Sequence, residues 1–223
     1  MQPDRDAHRT QTQLERIIFF SDAVFAIAIT LLVIEIKVPE IHGAGEGELL
    51  RAIFRLLPKF MGFVLSFAII GLYWTRHHFM FGYVIDYTGK LIWLNLFLLF
   101  GIALMPFSTG LFGEYSTPST MHLKTPLIIY VLNICFLGLM NLLLARYIGN
   151  PGNRVISRDL DPQLFKELKT RAALVPVVFL LAIPVAFIND YLARYVPILV
   201  PVAMKILRRR RSKTEPKPEP LAE

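Results

Sequence analysis

The feature of this sequence that most constrains its fold is a set of long apolar runs. A bilayer core about 30 Å thick is crossed by roughly 17–25 mostly apolar helical residues. Six runs reach or approach that length, and they occupy residues 16–36, 60–75, 90–112, 125–147, 172–189 and 191–207. The chain is 54% hydrophobic with a mean hydropathy of +0.50, which is too apolar for an ordinary soluble domain of 223 residues. We therefore predict an all-α membrane protein with six transmembrane helices.

The distribution of Lys and Arg predicts the orientation of these helices. If the N-terminus is cytoplasmic, the inner segments hold eighteen of the 24 basic residues and the outer segments hold six. Cytoplasmic segments are enriched in Lys and Arg, so we expect both termini inside. The predicted units are a cytoplasmic N-terminal segment (1–13), a six-helix membrane domain (14–207) and a basic, Pro-rich, disordered cytoplasmic tail (208–223).

The net charge of +7 indicates a lipid partner and not a nucleic acid. The basic residues gather at the ends of the apolar runs, where lipid headgroups lie, and are not spread over one face. The densest cluster begins the tail and consists of Arg208, Arg209, Arg210 and Arg211. We expect this cluster to bind anionic lipids.

An acidic residue, Asp22, interrupts the first apolar run. On a helix with about 100° per residue, Asp22 lies about 200° from Phe20, whereas Ile27, Leu31 and Ile34 lie within about 40° of Phe20. Ionisable side chains at membrane depth are costly and usually face the interior of the helical bundle. The first helix therefore has an apolar stripe on one side and a face on the other that packs against neighbouring helices.

The predicted partners of Asp22 lie near the end of the second run and the start of the third. They are Trp74, His77, His78, Trp93 and Asn95, with Arg16 at a similar depth on the first helix. A satisfied buried network of these groups with Ser21 and Asp22 would fix the first helix in place. Two alternatives stay open: Asp22 coordinates an ion directly, or Asp22 or the histidines act in gating or proton transfer.

The same polar residues do not form the pattern of an enzyme or a metal site. Ser21 and Asp22 are adjacent and nothing marks an oxyanion hole, so we predict that the chain is not an enzyme and has no catalytic residue. His77 and His78 diverge by about 100° on a helix, and no third ligand stands at a helical spacing. The single Cys135 excludes a Cys-rich metal site. We therefore predict no metal and no cofactor.

A motif at the start of the first run resembles a known family. Arg16-x-x-x-Phe20-Ser21-Asp22, followed by AVFAIAITLLVIEI, is similar to the signature of the endosomal and lysosomal transmembrane potassium channel family. The match is close to its prokaryotic branch, which has one six-helix unit per chain. YWTRHH at 73–78 and WLNLFLLFGIALMPFST at 93–109 are similar in kind and placement to the family's second and third helices.

The resemblance implies a homotetramer whose first helices line a central pore. We expect the protein in the plasma membrane, as a multi-pass protein. Carried over by position, Ile27 forms the narrowest ring, Leu31 and Ile34 are the next inward-facing positions, and Thr30 is the polar position beside the constriction. The motif residues Arg16, Phe20, Ser21 and Asp22 are implied to be structural, because they join the first helix to Trp, His and Asn groups of the second and third helices.

The implied function is a potassium-permeable cation channel with a hydrophobic filter, in which K⁺ passes after partial dehydration. The carbonyl-lined filter of conventional potassium channels requires a TVGYG-type loop, which this sequence lacks. A proton-permeable channel, a secondary transporter and a non-conducting scaffold remain as alternatives. Transporters usually carry ionisable groups in discontinuous helices, and the Pro-rich fifth and sixth runs have no acid in their interiors.

Overall fold

The computed structural model describes residues 2–40, 45–156 and 175–196, and these residues are almost entirely helical. The helices are α1 (Gln2–Leu31), α2 (Glu46–Arg55), α3 (Leu57–Phe81), α4 (Gly89–Ala103), α5 (Met105–Glu114), α6 (Thr125–Ile148), α7 (Val175–Ile188, with a turn at Leu181) and α8 (Asp190–Tyr195). Short 3₁₀ helices cover Leu32–Glu35 and Pro151–Asn153. Within these ranges, β pairing is limited to one antiparallel bridge between Val84 and Ile156. The prediction of an all-α fold is confirmed.

Four helical segments are long and apolar enough to cross a membrane. They are His8–Glu35, Leu57–Phe81, Gly89–Glu114 and Thr125–Ile148, and they correspond to the first four predicted runs. The part of the fifth run that the structure describes is α7, which is apolar and, over those residues, shorter than a full span. Most of the sixth run, together with the tail and its arginine cluster, lies outside the described residues. Six spans and the orientation with both termini inside therefore stay predictions.

The first helix extends further toward the N-terminus than the apolar pattern indicates. α1 begins at Gln2 and continues without a break through the segment predicted as a separate unit, residues 1–13. Glu15 and Arg16 are good helix formers, so the polar lead-in propagates the helix beyond the apolar run. The cytoplasmic location of residues 1–13 stays a prediction.

The third run was predicted as one helix over residues 90–112, but the structure divides it into α4 and α5 at Leu104. Pro106 explains the division, because its ring lacks an N–H and crowds the carbonyl of Ile102 four residues earlier. The helix resumes at once: the amide of Ser108 donates to the carbonyl of Leu104 over 3.1 Å.

The helices pack around a continuous apolar core. α1 contacts α3 and α4, α3 packs on α5, and α6 packs on α4 and α5. Phe112 stacks on the fully buried Tyr130 with ring centroids 4.9 Å apart. At Gly138 the approach of α6 to α7 is so close that a Cβ would overlap the ring of Pro176. Among the residues that the structure describes, this packing leaves α1 in contact with its neighbours on one side.

Candidate functional site

The buried side of α1 follows a helical period. Leu14, Ser21, Phe25, Ala28 and Leu32 are buried, and their spacing of three, four or seven residues places them on one stripe. α3 and α4 are the helices against which this stripe packs. The first helix is therefore held in the bundle by a narrow seam.

The opposite side of α1 is apolar and exposed. Ile27 is 57% exposed, Leu31 is 41% exposed and Ile34 is 65% exposed. In a segment that can cross a membrane, such a stripe faces lipid, another copy of the chain or a pore. The three residues predicted to line a pore are thus left free of contacts within their own chain's core.

Thr30 lies on the exposed side beside this stripe. Its Oγ1 donates to the carbonyl oxygens of Ala26 over 3.1 Å and Ile27 over 2.9 Å. A hydroxyl has a single proton and two lone pairs. Because the proton is used within the helix, Thr30 can act toward a solute only as an acceptor, which suits a cation.

Asp22 is joined to α3. The indole Nε1 of Trp74 donates to Oδ1 of Asp22 over 2.9 Å. The Trp74 ring also stacks on His78, with centroids 5.6 Å apart. The acid inside the first apolar run thus has a donor from the second, at the side of α1 that faces the bundle.

A second chain of polar contacts lies deeper and links three helices. Oγ of Ser21 donates to the carbonyl of Ile17 over 2.8 Å, and Nδ2 of Asn95 donates to Oγ of Ser21 over 2.8 Å. Oδ1 of Asn95 is 2.9 Å from Nε2 of His77. An amide oxygen can only accept, so this geometry assigns the imidazole proton to Nε2. Ser21 and His77 are fully buried and Asn95 is 2% exposed, so breaking any of these bonds leaves a buried group unpaired.

The His77 ring is enclosed by aromatic groups. It stacks on Phe81 with centroids 4.2 Å apart and lies 5.5 Å from the ring of Phe25. Nδ1 of His77 is buried and forms no hydrogen bond within the part of the chain that the structure describes. Neighbouring His78 is exposed. The two histidines therefore occupy different environments, as expected for adjacent helical positions.

Four predicted members do not join these hydrogen bonds, so the predicted network was too wide. Arg16 is exposed and donates to Oε1 of Gln13 on its own helix over 3.4 Å. Phe20 is 55% exposed, because it lies on the side of α1 away from Asp22. Trp93 is 63% exposed, since two positions before Asn95 on a helix is nearly the opposite side. His78 contacts the cluster through its ring, which stacks on Trp74.

A second buried polar cluster was not predicted. Oγ1 of Thr109 donates to Oγ of Ser66 over 2.7 Å, and the Ser66 hydroxyl is 2.8 Å from Oη of Tyr130. Nδ2 of Asn133 donates to Oγ of Ser108 over 3.1 Å. The signal in the sequence was weak: one Ser in the second run and a Ser-Thr pair after the third run's proline. These bonds fix α5 between α3 and α6.

An acidic residue follows the exposed stripe. Glu35 is exposed, and its carboxylate lies so close to Gly110 that a Cβ there would overlap it. Beside it, Nζ of Lys59 forms an ion pair of 2.5 Å with Glu114. Glu35 and Lys59 line the same small cleft between the 3₁₀ turn, α3 and α5. The 3₁₀ turn that follows α1 therefore directs this carboxylate toward α5.

Comparison with known proteins connects this arrangement to a family. Residues 16–106 match the family described as endosomal/lysosomal potassium channel TMEM175. Over 100 aligned residues the chain is 43% identical to a protein of Streptomyces collinus named as a potassium channel. The aligned region covers 45% of this chain and 48% of the relative. The resemblance to the TMEM175 family is therefore confirmed. Every predicted pore and network residue, from Arg16 to Asn95, lies inside the matched TMEM175 segment.

The TMEM175 likeness also includes a solved fold and an animal relative. The crystal structure described as a lysosomal potassium-selective channel TMEM175 homologue from Chamaesiphon minutus is 26% identical, with a TM-score of 0.72 over 87% of this chain and 97% of that chain. A Gallus gallus protein named endosomal/lysosomal proton channel TMEM175 is 37% identical over 111 residues, 47% of this chain and 22% of the relative. The chain spans about half the length of the bacterial relative it matches in sequence. With its four apolar helices, these likenesses identify a multi-pass membrane protein.

Proposed function

We propose that this chain is a subunit of a potassium-permeable cation channel of the plasma membrane, in which α1 of four copies lines a central pore. The observation that carries the proposal is the exposed stripe of Ile27, Leu31 and Ile34 on a helix whose other side is fixed to α3 and α4. The potassium-channel names of the bacterial relatives support the same activity.

The polar contacts of α1 give the stripe its direction. Trp74 donates to Asp22, and Asn95, which is itself bonded to His77, donates to Ser21. α1 therefore cannot turn about its axis without breaking these hydrogen bonds. These residues have a structural role in the proposal. The stripe faces away from the described bundle of its own chain, so in the proposal further copies of the chain enclose the pore around it.

In the proposed pore, selectivity comes from dehydration. Four Ile27 side chains form an apolar ring that offers no ligand to replace the lost water of an ion. Partial dehydration is less costly for K⁺ than for Na⁺, because the larger ion binds water less strongly. An apolar constriction also closes by dewetting after a small inward movement. Modest selectivity for K⁺ follows without a carbonyl-lined filter.

A polar group beside the ring assists a partly hydrated cation. The Thr30 hydroxyl acts as an acceptor, since its proton is used within α1. Leu31 and Ile34 continue the apolar wall beyond the ring. Arg16 and Phe20 are exposed near the middle of α1, before the ring, and serve in the proposal as contacts between copies.

Proton permeation is the second candidate. The animal relatives carry the name of proton channels, and His77 has an unpaired Nδ1 among the described residues, directly behind α1. A secondary transporter is less well supported, because α7 contains no ionisable residue at all.

Reconstitution in planar bilayers tests the proposal and separates the candidates. The wild type should pass current with a reversal potential on the K⁺ side of a K⁺/Na⁺ gradient. Ile27→Asn should wet the ring and shift that potential toward Na⁺, whereas the matched control Ile188→Asn, at an 85% exposed position of α7, should leave it unchanged. A conducting Ile27→Asn channel with an unshifted reversal potential removes Ile27 from the filter. A current carried by H⁺ alone favours the second candidate. Bilayers that contain the protein and pass no current contradict both candidates.

A further inference from the structure

The short helix α2 has an apolar face that nothing in the described chain covers. None of its residues is buried, and Leu50, Ile53 and Phe54 are between 50% and 71% exposed. Half-buried Leu49 and Ala52 form its contact side toward the rest of the protein. A water-exposed apolar face of this size is unfavourable, so another phase or molecule must cover it.

The charged residues of α2 lie apart from this face. With about 100° per residue, Leu50, Ile53, Phe54 and Leu57 fall within about 100° of one another, while Arg51 and Arg55 fall outside that sector. Arg51 directs Nε to the carbonyl of Gly47, 3.0 Å away, and both arginines are exposed. A helix with one apolar sector and a separate cationic sector is typical of one that lies in a membrane interface.

The apolar sector of α2 continues into that of α3. Only Leu56 separates the two helices, and it keeps right-handed helical dihedrals of −79° and −8°. If the helical rotation of about 100° per residue continues through Leu56, one group of exposed α3 residues falls in the same sector as the apolar residues of α2. These residues are Leu57, Phe60, Met61 and Val64. α3 is long and apolar enough to cross a membrane, so its exposed stripe and that of α2 form one surface.

Length places α2 at the boundary of the bilayer. A straight helix over residues 46–81 would be about 54 Å long, well beyond the roughly 30 Å of the hydrocarbon core. α3 alone, at about 38 Å, already fills that core. The part of the stripe on α2 must therefore lie at the level of the headgroups and the upper acyl chains.

We propose that α2 is a membrane-surface helix whose occupant is the phospholipid of the leaflet at which α3 begins. Leu50, Ile53 and Phe54 enter the region between headgroups and acyl chains. Arg51 and Arg55 remain at the polar level, where a guanidinium binds the phosphodiester that every phospholipid carries. The inference depends on α3 crossing the membrane and not on ion conduction.

Site-directed spin labelling of the full chain in phosphatidylcholine vesicles tests this position. In a Cys135→Ser background, labels are attached at Phe54→Cys and Ile53→Cys, with Arg51→Cys as the polar-sector position and Val64→Cys as the reference within α3. Power saturation then compares accessibility to oxygen, which concentrates in lipid, with accessibility to a water-soluble nickel chelate. The native cysteine is replaced by a residue that keeps a donor toward the carbonyl of Pro176, 3.7 Å away.

The proposal predicts an oxygen-to-nickel ratio several-fold higher at positions 53 and 54 than at position 51, and a still higher ratio at Val64. High nickel accessibility at 53 and 54 would place α2 in water and overturn the proposal. Low accessibility to both reagents at 53 and 54 would show a protein partner, such as a second copy, and would also overturn it. The labels at positions 53 and 54 are measured in separate variants. If one variant does not fold, the other still tests the proposal.

Discussion

The indole of Trp74 and the carboxyl group of Asp22 meet across the α1–α3 interface at 2.9 Å, although 52 residues separate them in the chain. This contact explains why an acid stands within an apolar run. Asp22 anchors one side of α1, and Ile27 begins the exposed stripe little more than a helical turn further along. The anchor and the proposed filter are two sides of the same helix.

Removing the donor of this contact should weaken the fold. Trp74→Phe keeps an aromatic ring against His78 but leaves the Asp22 carboxyl group without its indole partner, so we expect a loss of about 1–2 kcal/mol. Thermal unfolding in detergent measures it. Trp93→Phe is the matched control, because Trp93 is 63% exposed and its ring lies against Phe97 of its own helix. Equal unfolding midpoints for the two variants would contradict the role of the hydrogen bond.

Ser21 and Asn95 should behave as one energetic unit. Each single change, Ser21→Ala or Asn95→Leu, disrupts the same 2.8 Å bond, so the double variant should lose less stability than the sum of the two. We expect a coupling of about 0.5–2 kcal/mol from a double-mutant cycle of chemical unfolding. Additive losses would mean that the contact does not contribute to folding.

Close helix packing predicts opposite effects for two glycines. Gly138→Ala should destabilise the protein by about 1–3 kcal/mol, because the new Cβ overlaps Pro176 and forces α6 and α7 apart. Gly71→Ala should be neutral or stabilise by up to about 1 kcal/mol, since no atom lies within 4 Å of the added Cβ in the middle of α3. Thermal midpoints of the two variants, measured side by side, check the sign of each effect.

The oxygen of Thr30 should matter for conduction and little for stability. Thr30→Val is nearly isosteric and removes the acceptor beside Ile27, so we expect a lower K⁺ conductance with an unchanged unfolding midpoint. Thr75→Val is the matched control, because Oγ1 of Thr75 is also exposed and donates to a carbonyl of its own helix, that of Gly71, over 2.8 Å. A fall in conductance of the same size in both variants would contradict a specific role for Thr30.

Much of the fold could be predicted from the sequence because apolar length is a strong signal. Four predicted runs coincide with helices that can cross a membrane. The break within the third run was not predicted, although Pro106 is in the sequence. A proline is tolerated in a membrane helix when neighbouring groups satisfy the freed carbonyl, and the sequence does not show whether they do. The N-terminal extension of α1 was missed because polar helical residues lack an apolar period.

The candidate site could be predicted only in part. Helical geometry alone separates Asp22 from the stripe of Ile27, since both lie on one helix. Pairings between helices depend on rotation and depth, which the sequence of each helix does not define, and so Trp93 and His78 were grouped with Asn95 and His77. The Ser66–Thr109–Tyr130 contacts were missed for the same reason, because small hydroxyl residues are common in membrane helices without a partner.

The central claim is that Ile27 side chains of several copies meet at a common axis. A density map of the full-length protein in lipid nanodiscs measures this directly. The account predicts a four-fold symmetric assembly with the four Ile27 side chains nearest the axis and Thr30, Leu31 and Ile34 following along it. A map that places Ile27 against lipid, or against a neighbouring helix with no central conduit, would contradict it.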